Sequence, residues 1–164
     1  MQRMTLRIIL TIFIMFVGTQ SAFSMERVAR LGVGMTNQLK NDVTALSFKI
    51  QRSKSFAIGG IVGYDSNDAN GGHGFGLKLY RNFFEEPLLN FYGSFTGAII
   101  NQKTTNSDQS GFQFDLTMGS EFSFNGLESL GFSFEFGVSV NKLDDFVVQT
   151  TGSQFLVTAI HFYL

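Results

Sequence analysis

The chain has 164 residues, with no cysteine, one proline, 18 glycines, 20 phenylalanines and a formal net charge of -1. The absence of cysteine excludes a disulfide, a thiolate metal site and a lipoprotein anchor, and the near-neutral charge gives no basic footprint for nucleic acid. Abundant aromatic residues and almost no proline are typical of a β-rich chain, and the length suits one domain.

Residues 1–24 have the layout of a secretory signal peptide. Arg3 and Arg7 precede an apolar segment at 8–17, and Ala22 and Ser24 put small residues at the two positions that a signal peptidase inspects. The apolar segment is shorter than the ~20 residues that a membrane-spanning helix needs, which disfavours the alternative of a membrane anchor. We predict cleavage before Met25, leaving residues 25–164 as the mature domain.

From Arg27 to Leu164, large apolar residues alternate with small or polar ones, and this period of two predicts β-strands with two different faces. We predict eight strands: Arg27–Thr36, Val43–Gln51, Ser55–Tyr64, His73–Arg81, Leu88–Ile100, Phe112–Phe122, a seventh that contains Leu130–Val140, and an eighth that ends at Leu164. The connections at 37–42, 65–72, 101–111 and 141–153 are polar and mostly longer, whereas the others are shorter or aromatic. Outer-membrane barrels alternate long external loops with short periplasmic turns in this way.

A soluble lipocalin-like barrel has the same alternation with its faces exchanged, so the polar row decides between the two. A water-facing surface normally carries ~25–35% charged residues, whereas this row is mostly Gly, Ser, Thr, Ala, Asn and Gln. Small and paired polar residues fit a narrow lumen, and broad phenylalanine-rich rows fit lipid contact. The sequence therefore predicts an all-β fold, an eight-stranded antiparallel up-and-down transmembrane β-barrel.

The last strand carries a possible assembly signal. Leu156, Ile160, Phe162 and Leu164 fall on alternate positions up to the final residue, with Thr158 as the one polar break. This pattern resembles the C-terminal signal that the barrel assembly machinery recognises, although that signal usually ends in phenylalanine. Over residues 27–164 the pattern resembles small eight-stranded barrels such as outer membrane protein X and the membrane domain of outer membrane protein A.

Assigning the polar row to the interior predicts a set of lumen residues: Arg30, Lys49, Lys78, Asp115, Glu121, Glu135 and His161. An eight-stranded barrel is just wide enough for side chains to fill it, so these charges are expected to pair. Our hypothesis is that the three basic residues form a network with Glu121 and Glu135 that plugs the barrel. The alternative is a path for protons or small ions.

Catalysis and metal binding have weaker support. Some barrels of this type act on lipid A, but no hydrolase-like motif surrounds His73 or His161, and His161 is expected near the periplasmic end. Two distant histidines without cysteine do not make a standard metal site, and no cofactor is predicted.

The resulting prediction is a non-enzymatic barrel in the outer membrane of a Gram-negative bacterium, with an envelope structural or surface-interaction role. Its expected partners are outer-membrane lipid, lipopolysaccharide, the barrel assembly machinery and a ligand at loops 65–72, 101–111 and 141–153; no nucleic acid is expected. The alternatives are a narrow ion or solute channel, an outer-leaflet lipid A modifying enzyme, and a lipocalin-like periplasmic binding barrel.

Overall fold

The structure is a computed structural model that describes residues 27–67, 70–104, 107–151 and 156–164, so the predicted signal peptide at 1–24 lies outside the described residues. These residues form nine strands: β1 (Leu31–Thr36), β2 (Ala45–Ser53), β3 (Phe56–Asp65), β4 (Gly72–Glu86), β5 (Leu89–Thr104), β6 (Ser107–Phe124), β7 (Leu127–Lys142), β8 (Phe146–Thr150) and β9 (Val157–Tyr163). None of the described segments is a helix with the length and apolar character needed to cross a membrane.

The strands close into a barrel. Consecutive strands from β1 to β7 pair antiparallel, and β9 pairs with both β7 and β1, so eight wall positions form a ring in the described part of the chain. The stagger of the barrel follows from tracing paired residues around the ring from Val33 in both directions. The route through β2–β6 reaches Val140 on β7, whereas the route through β9 reaches Leu130, so the two routes end ten residues apart on the same strand. Such a stagger tilts the strands about 40° from the barrel axis. The predicted eight-stranded antiparallel barrel is confirmed.

The eighth wall position consists of two strands instead of one. Thr150 pairs with Val138, and Val157 pairs with Glu135, so six residues pass two positions of β7. Within the described residues β8 pairs with β7 alone, whereas β9 pairs on both sides. The predicted eighth strand, which ends at Leu164, corresponds to β9, whereas β8 is an additional strand within the predicted loop at 141–153.

The connections sort the barrel into two ends. Residues 54–55, 87–88 and 125–126 form two-residue turns after β2, β4 and β6, and Leu164 lies at the same end, which we name the turn end. Gly126 has a φ of 82° within one of these turns, a conformation that glycine adopts without strain. β1, β3, β5 and β7 end at the opposite end of the barrel, which we name the loop end.

The apolar rows face outward, as predicted. On β2, Leu46 and Phe48 are 51% and 37% exposed, while Ser47 and Lys49 are 3% and 2% exposed. The outward face includes Ile99 and Leu116, which are each about 70% exposed. A water-soluble protein does not expose apolar residues over a whole sheet surface. The lipocalin-like alternative, which requires these rows inside, is therefore wrong.

Several predicted boundaries are corrected at the loop end. The predicted loop at 101–111 is largely strand, since β5 runs to Thr104 and β6 begins at Ser107. The predicted loop at 141–153 contains β8. In the hairpin of β5 and β6, the residues at this end are polar or glycine on both faces. Backbone pairing continues there, but the alternation of apolar and polar residues from which we predicted strands is absent. The connection at 37–44 turns into the barrel, as described below.

Candidate functional site: the filled lumen

One charged cluster occupies the lumen near the turn end. Glu121 is fully buried, and its carboxylate accepts a hydrogen bond from Lys49 Nζ at 2.9 Å and from the Tyr163 hydroxyl at 2.8 Å. Arg27 also donates to this carboxylate. The segment before β1 reaches this cluster through a turn in which Ala29 has a φ of 65°. Two cations therefore pair with one buried carboxylate and restrict its position.

A second cluster lies farther toward the loop end. Glu135 is 1% exposed, and its two oxygens accept bonds from Lys78 Nζ at 2.7 and 2.6 Å. The Tyr92 and Thr117 hydroxyls each donate to Glu135 at 2.8 Å. A buried carboxylate with four such contacts has most of its lone pairs satisfied, which is the condition under which a buried charge is tolerated.

Tyrosine rings join the two clusters. Lys49 Nζ lies 4.6 Å from the ring centroid of Tyr80 and 5.0 Å from that of Tyr92, and Lys78 Nζ lies 5.1 Å from that of Tyr80. The two rings meet edge to face at 5.4 Å. Cations over aromatic faces gain electrostatic attraction that grows as water is excluded. The middle of the lumen is thus occupied by aromatic rings and ammonium groups.

The connection at 37–44 enters the barrel from the loop end and continues the chain of polar contacts. Gln38 is 1% exposed; its carbonyl oxygen accepts from Lys78 Nζ at 2.7 Å, and its amide donates to Asp115 and to Thr96 at 2.8 Å. The prediction of a simple polar turn at 37–42 is therefore wrong. The bonds of Gln38 to the wall give the physical reason, because they satisfy polar groups that face the lumen.

Further contacts anchor the same connection. Asn41 is completely buried, and its amide donates to the backbone oxygens of Asn101 at 2.9 Å and His73 at 3.1 Å. Lys40 Nζ donates to the backbone oxygen of Thr150 at 2.8 Å. Partial burial lowers the pKa of Lys40 below its ordinary value, although the nearby Asp115 opposes this shift. These bonds hold the connection against the barrel wall at the loop end.

The structure brings together most of the predicted lumen residues. Lys49 contacts Glu121, Lys78 contacts Glu135, and Asp115 joins the second cluster through Gln38. Arg30 is half-buried just before β1, and Arg27 is an arginine that contacts Glu121. The plugging role of the network stays a prediction.

His161 has a neighbour that the sequence did not reveal. Its Nε2 lies 2.8 Å from Ser47 Oγ, and its Nδ1 lies 4.0 Å from Glu121 Oε2. The order of hydroxyl, imidazole and carboxylate is that of a nucleophile with its base and orienting acid. However, the imidazole Nδ1 forms no hydrogen bond within the described residues, and the three side chains are 0–3% exposed. Such an arrangement does not let an acyl substrate reach the hydroxyl.

The residues of the predicted assembly signal lie on the outward face. Ile160, Phe162 and Leu164 are 49–67% exposed, and Leu156 precedes β9 and is half-buried. Recognition of these residues by an assembly machinery remains a prediction. No group of three or more His, Cys, Asp or Glu residues within the described ranges could hold a metal ion.

Sequence reasoning missed Arg27, Gln38, Asn41 and the three lumen tyrosines. The positions of the tyrosines could have been predicted, because Tyr80, Tyr92 and Tyr163 each fall on the same alternating row as the polar residues of their strand. Gln38 and Asn41 had none, since a loop that folds inward has no periodicity.

No family model matches this sequence, and no curated protein sequence matches it. The structure is similar to the crystal structure of the N-terminal β-barrel domain of Pseudomonas aeruginosa OprF, with a TM-score of 0.64 and 14% sequence identity. The similarity covers 84% of this chain and 98% of that domain. At this identity the likeness concerns the fold, and it agrees with the resemblance found in the sequence pattern. The chain therefore has the fold of the small eight-stranded outer-membrane barrels.

Proposed function

We propose that this protein is a non-enzymatic barrel of the Gram-negative outer membrane with an envelope structural role and a lumen closed to solutes. The observation that carries the proposal is the chain of contacts from Glu135 through Lys78 and Gln38 to Asp115, which ties the inserted connection to the barrel wall. An eight-stranded barrel leaves little more than side-chain room inside. The tyrosine rings and ion pairs occupy that room.

The outer surface supports the membrane location. Outward rows of Phe, Leu, Ile and Val continue around the strands, and Phe122, Phe124, Phe132 and Phe134 pack together near the turn end at centroid distances of 5.6–5.7 Å. Aromatic girdles of this kind lie at membrane interfaces. By the same rule the short turns face the periplasm and the longer connections face outside. Lipid and lipopolysaccharide are then the main partners, and the barrel assembly machinery inserts the chain.

A narrow path for ions is the second candidate. It is favoured by buried polar atoms toward the loop end that lack a hydrogen-bond partner in the described chain: Asn101 Oδ1, Asp115 Oδ1, Ser139 Oγ and Asn141 Nδ2. Such atoms gain free energy from contact with water. If the inserted connection moves out, they would line a hydrated entrance above the Lys78–Glu135 pair.

An outer-leaflet lipid-modifying activity has less support. Ser47, the hydroxyl beside His161, points into the filled lumen and is 3% exposed, so acyl chains in the membrane do not reach it. The Nδ1 to carboxylate distance of 4.0 Å also leaves the imidazole without a hydrogen bond to the acid.

Conductance in planar lipid bilayers tests the closed lumen. The mature chain is refolded, and a gel-mobility shift on boiling first shows that each sample is a folded barrel. We expect no stable conductance steps from the unaltered protein. Glu135→Ala should raise conductance, because Lys78 loses its partner and a side-chain volume is removed from the lumen. The matched control is Glu86→Ala, which removes an exposed carboxylate beside a turn.

The outcomes separate the candidates. An unchanged trace in folded Glu135→Ala would contradict the plugging network, and Glu135→Gln gives a second variant that keeps the volume if the alanine variant does not fold. Regular steps from the unaltered protein would favour the ion path. The absence of any mobility shift, with the protein soluble in the periplasm, would contradict the membrane barrel itself.

A further inference from the structure

Arg81 is a cation on the outward, apolar face of the barrel. It lies on β4 between Leu79 and Phe83 in the outward row, and its cross-strand partners are Phe56 and Gly93. Arg81 is exposed, and no carboxylate of the described residues forms an ion pair with it. An arginine on the lipid face of an outer-membrane barrel is destabilising unless it reaches the interface or meets an anion. Neither of its cross-strand partners carries an anionic side chain.

Two more cations lie close to Arg81 at the turn end. Arg52, near the end of β2, and Lys54, in the turn that follows, are both exposed. Phe56 pairs both with the last residue of β2 and with Arg81. The side-chain amide of Asn82 donates to the backbone oxygen of Lys54 at 2.8 Å, which holds the turn against β4. Three cationic side chains therefore surround one phenylalanine at the edge of the lipid-facing surface. We call Arg52, Lys54 and Arg81 the cationic rim.

The surface beside the rim fits the acyl part of a lipid. Ile50, Ile58 and Leu79 are 41–44% exposed directly above it. The end of β4 carries Glu85 and Glu86, which are exposed and would repel an anion there. A cationic patch below an apolar surface, bounded by acidic residues on one side, is complementary to a phosphate headgroup with its acyl chains pointing into the bilayer.

We propose that the cationic rim binds the phosphate headgroup of an anionic glycerophospholipid in the periplasmic leaflet. The inference rests on the proposed outer-membrane location, because that location places the turn end at this leaflet. The guanidinium of Arg81 extends from the apolar surface toward the interface and binds phosphate oxygens as a fork, and Arg52 and Lys54 add charge from the end of β2 and the turn that follows it. The lipid thereby stabilises a cation that the barrel itself leaves without a counter-charge.

Native mass spectrometry of the full mature protein tests this. The protein is incubated in detergent with equal amounts of phosphatidylglycerol and phosphatidylcholine of the same acyl chains, and the ratio of bound lipids is measured. The variants are R81Q and the triple change R52Q, K54Q and R81Q. The matched control is K142Q, because Lys142 is an exposed cation in the outward row at the loop end, paired with Phe112. The gel-mobility shift shows that every variant is folded.

We expect the unaltered protein to prefer phosphatidylglycerol. Each cation near a membrane surface contributes about fivefold in affinity for an anionic lipid, so R81Q should lower the lipid ratio about fivefold, the triple change should remove the preference, and K142Q should keep it. Equal binding of the two lipids by the folded unaltered protein, or an unchanged ratio in the triple variant, would overturn the proposal and leave the barrel function intact. So would rim-dependent binding of lipopolysaccharide in place of phosphatidylglycerol. A sample without a mobility shift would instead contradict the proposed function.

Discussion

Glu121→Gln removes the negative charge that holds two buried cations near the turn end. The change keeps the shape of the side chain, so the Tyr163 hydroxyl still finds an oxygen that accepts its hydrogen bond. Lys49 and Arg27 lose their carboxylate, which for Lys49 lies 2.9 Å away in a site where both side chains are at most 3% exposed. The variant therefore measures how much one buried negative charge contributes to the free energy of unfolding, with little change in packing.

The expected loss follows from the contacts. Removing one partner of a buried ion pair costs about 3–5 kcal/mol, since the remaining charge has no compensation. Lys49 keeps its positions over the rings of Tyr80 and Tyr92, and such contacts are worth about 0.5–2 kcal/mol. We therefore expect the free energy of unfolding to fall by about 3 kcal/mol. Adding Lys49→Met to Glu121→Gln should recover part of this loss.

Equilibrium urea unfolding in lipid vesicles measures these free energies. Circular dichroism is the suitable signal, because the chain has no tryptophan. Glu86→Gln is the control, and removal of that exposed carboxylate should change stability by at most about 0.5 kcal/mol. A loss of unfolding free energy below about 1 kcal/mol for Glu121→Gln, or no recovery in the double variant, would refute the view that the lumen cations depend on buried ion pairs shielded from water.

The inserted connection and one close strand pair give two further predictions. Gln38→Ala removes the bonds to Lys78 and Asp115, so protease cleavage within the connection at 37–44 should become faster while the barrel strands stay protected; equal cleavage rates would contradict a docked connection. Gly34→Ala should prevent the heat-dependent mobility shift, because its added Cβ would lie 1.7 Å from a backbone oxygen of β9, whereas Gly60→Ala, whose nearest atom would be 3.9 Å away, should fold normally.

The period-two pattern was sufficient to predict the fold and which face of each strand points into the barrel. Because side chains alternate strictly between the faces of a strand, Lys49, Lys78, Glu121 and Glu135 could be placed inside before any pairing was known. The pattern could not show which charges meet, since the partners depend on the stagger between distant strands. Glu121 and Lys49 are 72 residues apart in sequence and touch across the lumen.

The remaining errors have local causes. The turn around Ala29 takes Arg27 off the strand row, so the alternation gave no sign of its contact with Glu121. The connection at 37–44 is polar, which is typical of a surface loop. Its inward path depends on hydrogen bonds to β4, β5 and β6, and these cannot be predicted from the local sequence. The break between β8 and β9 likewise follows from pairing with β7.

Closure of the ring between β1 and β9 has a kinetic consequence. The strands from β1 to β7 join neighbours in sequence, so each hairpin can form from a short piece of chain. The pairing of Gly32 with Tyr163 and of Thr36 with Ala159 instead joins segments more than 120 residues apart. Contacts of such long range slow folding, because chain entropy is lost before they form. We therefore expect the ring to be completed last, by pairing of β9 with the six residues of β1, and until then both edges of the open sheet would expose unpaired backbone groups.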